Sequence, residues 1–478
     1  MKRRPTAVSL GLLLFLVSPA RGAPVTSTGT VATSSPGLGL SEIEVEGDDP
    51  FVEVEVVEPE GPPPDQRALF IEAIEVLGNE KTDRQVILRR LLVAAGDLVD
   101  DTEIEASRLR LLNTGFFKSV EFSLRRGSSR GRVLLVVEVK ERNTILIDEL
   151  YYGFSSVAPV FGGIGLMESN FLGRGVTVGG AFVIGKDRRA VELRTFVPDL
   201  SNTPLQLTGS MILLKGAELI DDQQTLGPQL DYQRLGGTLG FGYGVAPAQR
   251  ISLVYRLESV RAERLPNLDP AVLRRAPSIQ FDESVVSTIT AAYELDTRDD
   301  PFVPTQGTRL ALAVEVGSSL LGSAYEFSKY TGEIQQALSL FGDHSLNLRL
   351  LGGMIQGNAP FFDQFFLRDF AYFTFNRSAL PRNVQLNFGE SNDYDDLLVS
   401  AGAEYSIPIL EGEDWLYRTF VYGGVDLSAT ASLDELQEDP TGRGTSGRVP
   451  LSFDVGLKFD TFVGNFTLSF SYLIDLVL

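Results

Sequence analysis

The sequence predicts an all-β transmembrane antiparallel β-barrel of about 16 strands, preceded by one small α/β domain of order β-α-α-β-β. Three observations carry this. First, from residue 143 to the end about 335 residues keep a period-two alternation of apolar and polar side chains, the pattern of half-buried strands. Second, the polar face carries glycines and mid-strand charges. Gly240, Gly242 and Gly244 oppose Leu239, Phe241 and Tyr243, and Glu192 and Arg194 sit between apolar neighbours. A dry soluble core has no use for such a face, whereas a barrel lumen does. Third, no run after residue 22 is long and apolar enough for a membrane helix. A spanning barrel strand needs only about 9–11 residues. A soluble β-sandwich is the competing reading, and this much continuous pattern exceeds one sandwich.

Composition narrows the function. Lys+Arg is 42 against 63 Asp+Glu, a net charge of −21, which disfavours nucleic acid as a partner because phosphate binding needs a basic face. With no cysteine, disulfides, thiol catalysis and iron–sulfur sites are excluded. The single histidine, His344, follows Gly342-Asp343 and reads as a solvated turn residue, and any triad or histidine metal site would depend on it. The motifs G-x-S-x-G, Walker A and H-E-x-x-H are absent. Gly240-Phe-Gly242-Tyr-Gly244 lacks the third glycine of a nucleotide fingerprint. No enzyme, cofactor or metal is expected.

Residues 1–22 read as a secretory signal: Lys2-Arg3-Arg4, then an apolar core from Val8 to Val17, with cleavage after Ala20 or Gly22. Residues 23–66 read as a linker. From Ser41 to Asp65 there are ten carboxylates and no basic residue, ended by Pro62-Pro63-Pro64. Such a run repels itself and stays extended, although Glu42, Glu44 and Glu46 alternate with Ile43 and Val45 as a strand would.

Residues 67–142 form the α/β unit. Leu69 to Val76 is a strand. Thr82-Asp-Arg-Gln85 is a capping box whose helix closes at Gly96, and Thr102-Glu-Ile-Glu105 is a second whose helix closes at Gly115. Phe116 to Leu124 and Arg132 to Val139 make a hairpin. The Gly78-Asn79 turn after strand one, and Gly115-Phe116-Phe117-Lys-Ser-Val120 entering strand two, resemble a polypeptide-transport-associated (POTRA) domain.

Residues 143–478 are the barrel. About 35 of them, 359–393, break the alternation and include the aromatic-rich run Phe361 to Phe373. Long insertions of this kind are functional or disordered. So many aromatics argue against disorder, and the run reads as a loop packed inside the barrel. Further motifs resemble the BamA/TamA-like outer-membrane assembly superfamily. Glu168-Ser-Asn170-Phe171-Leu172-Gly173-Arg-Gly175 is similar to its barrel start. Asp296-Thr-Arg298-Asp299-Asp300-Pro301-Phe-Val-Pro304-Thr-Gln-Gly307 is similar to its mid-barrel signature. Leu367-Arg368-Asp369-Phe370 falls where the family has its Val-Arg-Gly-aromatic loop.

The resemblance implies that Arg368 enters the lumen and pairs with wall acids, of which Glu404 matches one. Tyr422 stands where the family has the second acid; Asp426 shares its parity and Asp454 faces inward on the next strand. The last segment, from Gly464, aligns with the family's penultimate strand, and eleven strands are expected before the loop and four after it. The resemblance also implies a bacterial outer-membrane location with the POTRA domain in the periplasm. Its implied partners are outer-membrane lipid and unfolded outer-membrane or secreted clients, and whether accessory periplasmic proteins or lipoproteins join is left open. The implied role is assembly or insertion of outer-membrane proteins. A dedicated secretion pore is the alternative, with a passive porin and the anchor of an enzyme fusion behind it.

Overall fold

A computed structural model describes residues 69–112, 114–153, 161–185, 189–200, 203–218, 230–246, 248–264, 279–300, 303–365, 395–412, 415–433 and 448–477. The expected signal peptide and acidic linker lie outside the described residues, as do Pro301 and the loop motif Leu367, Arg368, Asp369 and Phe370.

The first unit consists of β1 (Phe70–Leu77), α1 (Arg84–Leu88), α2 (Asp101–Leu112), β2 (Phe117–Arg126) and β3 (Arg132–Glu141). β3 is central, parallel to β1 and antiparallel to β2. Ile87 of α1 and Leu111 of α2 pack on Phe116, Phe117, Val120, Val137 and Val139. The side chains of Phe116, Phe117 and Val120 are therefore core, and the edge that β2 presents is its backbone. Gly78 turns the chain out of β1 at φ +81°, and a Cβ there would lie 2.0 Å from the Val139 carbonyl oxygen, so only glycine fits.

Both helix starts differ from the capping boxes. Asp83, not Thr82, caps α1 by accepting the Gln85 N–H at 2.9 Å. Asp100, not Thr102, accepts the Thr102 N–H at 2.8 Å. α1 also ends at Leu88, well short of Gly96. The chain leaves the helix early because residues 96–99 run along β1: the Gly96 N–H donates to the Ile71 carbonyl and the Val99 N–H to that of Leu69, both at 2.8 Å. That pairing covers the start of the outer edge of β1.

The second unit is a sheet of fifteen strands, one fewer than about 16. Eleven precede the loop: β4 (Ile145–Gly153), β5 (Phe161–Phe171), β6 (Val176–Gly185), β7 (Arg189–Val197), β8 (Leu205–Glu218), β9 (Leu230–Ala246), β10 (Gln249–Arg264), β11 (Asp282–Asp296), β12 (Gly307–Gly317), β13 (Phe327–Ser339) and β14 (Ser345–Gly357). Four follow: β15 (Leu397–Glu411), β16 (Leu416–Ala431), β17 (Arg448–Thr461) and β18 (Gly464–Val477). Each pairs antiparallel with the next. An odd strand number makes β4 and β18 run in the same direction, both away from the POTRA side. Among the described residues no ladder joins them. They approach where the Ile147 N–H donates to the Val463 carbonyl at 2.6 Å and Asn143 Nδ2 donates to the Phe462 carbonyl at 3.2 Å.

The two faces of this sheet are inverted relative to a soluble protein. On β10, Leu253 is 56% exposed, while Arg256 is 6% exposed and Glu258 1%. β14 repeats this with Leu348 and Leu350 outward and Asn347 and Arg349 inward, and β17 with Phe453 and Val455 outward and Asp454 and Lys458 inward. Apolar outside and charged inside is the arrangement of a transmembrane barrel. Leu253→Arg is predicted to cost about 2–4 kcal/mol, the price of a cation at the bilayer midplane, measured by urea unfolding in lipid vesicles. A cost near zero would place Leu253 off the lipid face.

Candidate functional site

The aromatic run that interrupts the alternation begins inside the lumen. Phe361 packs on Ile212 and Leu214 of β8 and Leu230 and Tyr232 of β9. Phe365 packs on Val286 of β11, Phe327 of β13, Ile355 of β14 and Leu398 of β15. Five residues thus tie two apolar clusters of the inner wall together, toward the barrel end distant from the POTRA domain. The Tyr232 ring meets Phe361 edge-on at 5.2 Å, and the Arg234 guanidinium lies 4.0 Å over the Phe362 ring.

Between these aromatics Asp363 faces the wall. Arg256 of β10 grips it with both terminal nitrogens, at 2.9 Å and 2.5 Å. Glu315 of β12 lies 3.1 Å from the same guanidinium, and Lys329 of β13 donates to the Asp363 main-chain carbonyl at 2.7 Å. A bidentate arginine–carboxylate pair fixes orientation as well as charge. Nothing in the sequence pairs residue 256 with 363, 107 positions apart.

The acids expected to receive Arg368 are all on the inner wall. Glu404 of β15 is fully buried; Lys458 of β17 donates to its Oε1, and Ser406 donates to the same atom at 3.1 Å. Its Oε2 has no hydrogen-bond partner among the described residues. Asp426 of β16 accepts from Arg349 of β14 at 3.1 Å to each oxygen and from Ser400 at 3.2 Å. Asp454 is buried on β17, opposite Gly424. Tyr422, at the position of the family's second acid, is also buried inward, and the Lys458 ammonium sits 4.7 Å over its ring. An aromatic face thus meets the cation at the position where the resemblance puts the family's second acid.

The mid-barrel signature folds into the lumen at the POTRA-side end. Arg298 is bidentate to Asp296, at 2.9 Å and 2.7 Å, and reaches Gln335 at 3.0 Å. Asp299 accepts the N–H groups of Thr305 and Gln306, holding a tight turn that Gly307 leaves to start β12. Asp300 then pairs with Arg418 of β16, which also binds Asp460 at 2.9 Å. Val303 packs on Phe420 of the same strand, beside the buried Pro304. Above this turn a charge ladder crosses neighbouring strands: Arg309 donates to Glu294 at 3.0 Å and to Glu333 at 2.9 Å.

The barrel-start motif is a joint rather than a lumen feature. Asn170 Nδ2 donates to the Thr82 hydroxyl at 2.9 Å, and Asn170 Oδ1 accepts the Gly175 N–H at 2.7 Å. The Asp83 N–H donates to the Gly173 carbonyl at 2.9 Å. A Cβ on Gly173 would lie 1.9 Å from the Lys81 carbonyl oxygen, so the two backbones meet only because residue 173 is glycine. Asn79 supports the same turn by donating to the Thr82 carbonyl at 3.0 Å. Thr82 is committed to this joint, which is why it does not cap α1. A second tie is Asp199, after β7, which pairs with Arg90 at 3.1 Å. Burial, then the neighbouring Arg90, pushes the Arg110 guanidinium below its usual range, with Asp199 opposing. His344, expected to be solvated, bonds Tyr405 Oη through Nδ1 at 2.5 Å.

The Glu404–Lys458 pair can be tested by charge. Lys458→Met leaves a buried uncompensated carboxylate and is predicted to cost about 3–5 kcal/mol. Adding Glu404→Gln should recover most of that loss, because the buried charge is then gone. Heat-induced loss of the compact electrophoretic form reads both, and additive losses would contradict the pairing.

Comparison with known proteins agrees with this architecture. Residues 170–475 match the Omp85 superfamily domain, and residues 69–142 match the surface antigen variable number repeat, the POTRA unit. The chain is 27% identical over 308 residues to the outer membrane protein assembly factor BamA of Nitratidesulfovibrio vulgaris, covering 63% of this chain and 37% of that protein. It is 23% identical over 352 residues to the BamA of Neorickettsia risticii, covering 71% and 44%. The chain therefore spans less than half the length of these relatives. Among solved structures, BamA from Haemophilus ducreyi lacking POTRA domains 1–3 is similar with a TM-score of 0.51 at 17% identity, covering 85% of this chain and 81% of that one. CdiB from Escherichia coli is similar with a TM-score of 0.58 at 10% identity, covering 86% and 73%. These two likenesses are of fold. With the superfamily model matched across residues 170–475, the chain belongs to the Omp85 superfamily.

Proposed function

We propose that this chain assembles or inserts other proteins into the bacterial outer membrane, with its POTRA domain in the periplasm receiving unfolded clients. The observation that carries the reading is the seam. A strand edge left unpaired in lipid is not tolerated, yet no ladder joins β4 to β18 among the described residues. Both edges run in the same direction, so one incoming strand would lie antiparallel to each. The backbone-only approach at Ile147 and Val463 is a tie that such a strand could displace.

Further features support the reading. β2 is an edge strand, whereas the start of β1 is already covered by residues 96–99. An extended client could therefore add to β2 by backbone pairing, with specificity left to alternate side chains. The aromatic segment docked on the inner wall argues against a passive porin. Glu404 Oε2, without a partner among the described residues, is the acceptor that Arg368 would use on entering the lumen, as the resemblance implies. The relatives named as assembly factors point the same way.

Depletion followed by quantitative profiling of outer-membrane proteins tests the proposal. A broad fall in many barrel proteins is the expected result. Loss of one secreted or surface protein alone would make the chain a dedicated secretion pore instead. An unchanged profile would remove the assembly role.

A further inference from the structure

We propose that Asp363 is the anchor of the lumen loop, a lock of reversed polarity in which an acid on the loop is held by cations on the wall. It fixes the loop's entry, five residues before Arg368 in the sequence. This rests on the barrel alone and stands whether or not the chain assembles other proteins.

Three observations converge on Asp363. Its carboxylate is buried and takes both terminal nitrogens of Arg256. Its main-chain carbonyl takes the Lys329 ammonium. The flanking Phe361 and Phe365 belong to separate apolar clusters on different parts of the wall. The aromatics alone could slide, because apolar packing has no fixed direction. A bidentate pair does have one, and it sets the register of the segment. The wall side is already balanced for the loop's charge. Arg234, Arg256 and Lys329 are three cations, and Glu258, Glu315 and Asp363 are the acids beside them. Without the Asp363 carboxylate three cations face two acids, so the wall itself favours the docked loop.

The sequence resemblance points to the opposite polarity, with a loop cation on wall acids. Those acids, Glu404 and Asp426, hold Lys458 and Arg349. Both locks can exist together. The inference is that the Asp363 lock holds the loop's entry without help from the other.

The chain has no cysteine, so one introduced thiol gives a clean reporter. Ala359 is 1% exposed in the cluster that contains Phe365, and Ala359→Cys changes little volume. The purified full chain carrying it is folded into vesicles, its compact form checked by gel mobility, and its labelling by a water-soluble maleimide timed. Adding Asp363→Asn is expected to speed labelling by at least about tenfold, because one partner of a buried pair is gone. Reversing the pair, Asp363→Arg with Arg256→Asp, is expected to bring the rate back toward that of the reporter alone. A general packing defect would not be rescued in that way. Arg368→Ala is expected to leave the rate at Ala359→Cys within about twofold. If Asp363→Asn does not fold, Asp363→Glu and the reversed pair carry the test, with the single Arg256→Gln expected to label fast. Unchanged labelling in Asp363→Asn, no rescue by the reversed pair, or acceleration by Arg368→Ala alone would each overturn the proposal.

Discussion

Lipid supplies no hydrogen bonds, so every backbone N–H and C=O that crosses it must be paired within the protein. The rest of this structure follows from that constraint. Fourteen successive antiparallel ladders meet it for all but two edges. Closing the sheet turns one face to lipid and the other to a lumen, and the alternation of each strand then sorts side chains by period two. The inverted burial of Tyr255 and Arg256 on neighbouring positions of β10 is the local consequence. The two edges left over, on β4 and β18, are where the constraint is not met by a ladder among the described residues.

The lumen imposes a second condition. Charges facing inward are removed from bulk water and need partners. They find them across strands: Arg234 with Glu258, Arg349 with Asp426, Lys458 with Glu404, and Arg256 with Asp363 of the loop. Such pairs add little net stability, since desolvation offsets much of their attraction, but breaking one is costly. Their value here is positional. Arg256 with Asp363 holds the entry of the loop against one stretch of wall, and Arg418 with Asp300 draws the β11–β12 turn toward β16. The POTRA domain is held by a different kind of contact, a glycine-mediated backbone approach reinforced by Asn170 and Thr82.

Period two made the barrel legible in the sequence, because side-chain direction in a strand depends only on residue parity. For the same reason the inward placement of Asp454, and the parity that Asp426 shares with Tyr422, could be read directly, whereas Glu404 and Tyr422 were placed by the resemblance. Capping boxes misplaced both helix starts, because an aspartate stood near each one and because Thr82 was already bonded to a barrel turn 88 residues away. The aromatic run from Phe361 stood out as the break in the alternation, but Asp363 within it did not. Its partner Arg256 is a strand residue with nothing local to mark it, and their meeting depends on how the sheet closes. The Asp299 turn shows the opposite case. Its hydrogen bonds are local, to Thr305 and Gln306, and the motif that encodes them could be recognised as a unit.

The account depends most on a seam that opens to accept a strand. A cysteine-free chain allows a cysteine pair to be placed at Ile147 and Val463, where β4 meets the β17–β18 turn through one backbone hydrogen bond. The measurement is insertion of an unfolded barrel protein into vesicles that contain this variant, oxidised and then reduced. The account predicts that the oxidised form fails to accelerate insertion and that reduction restores it. Full acceleration by the cross-linked form would show that client strands enter elsewhere, and the seam would lose its role.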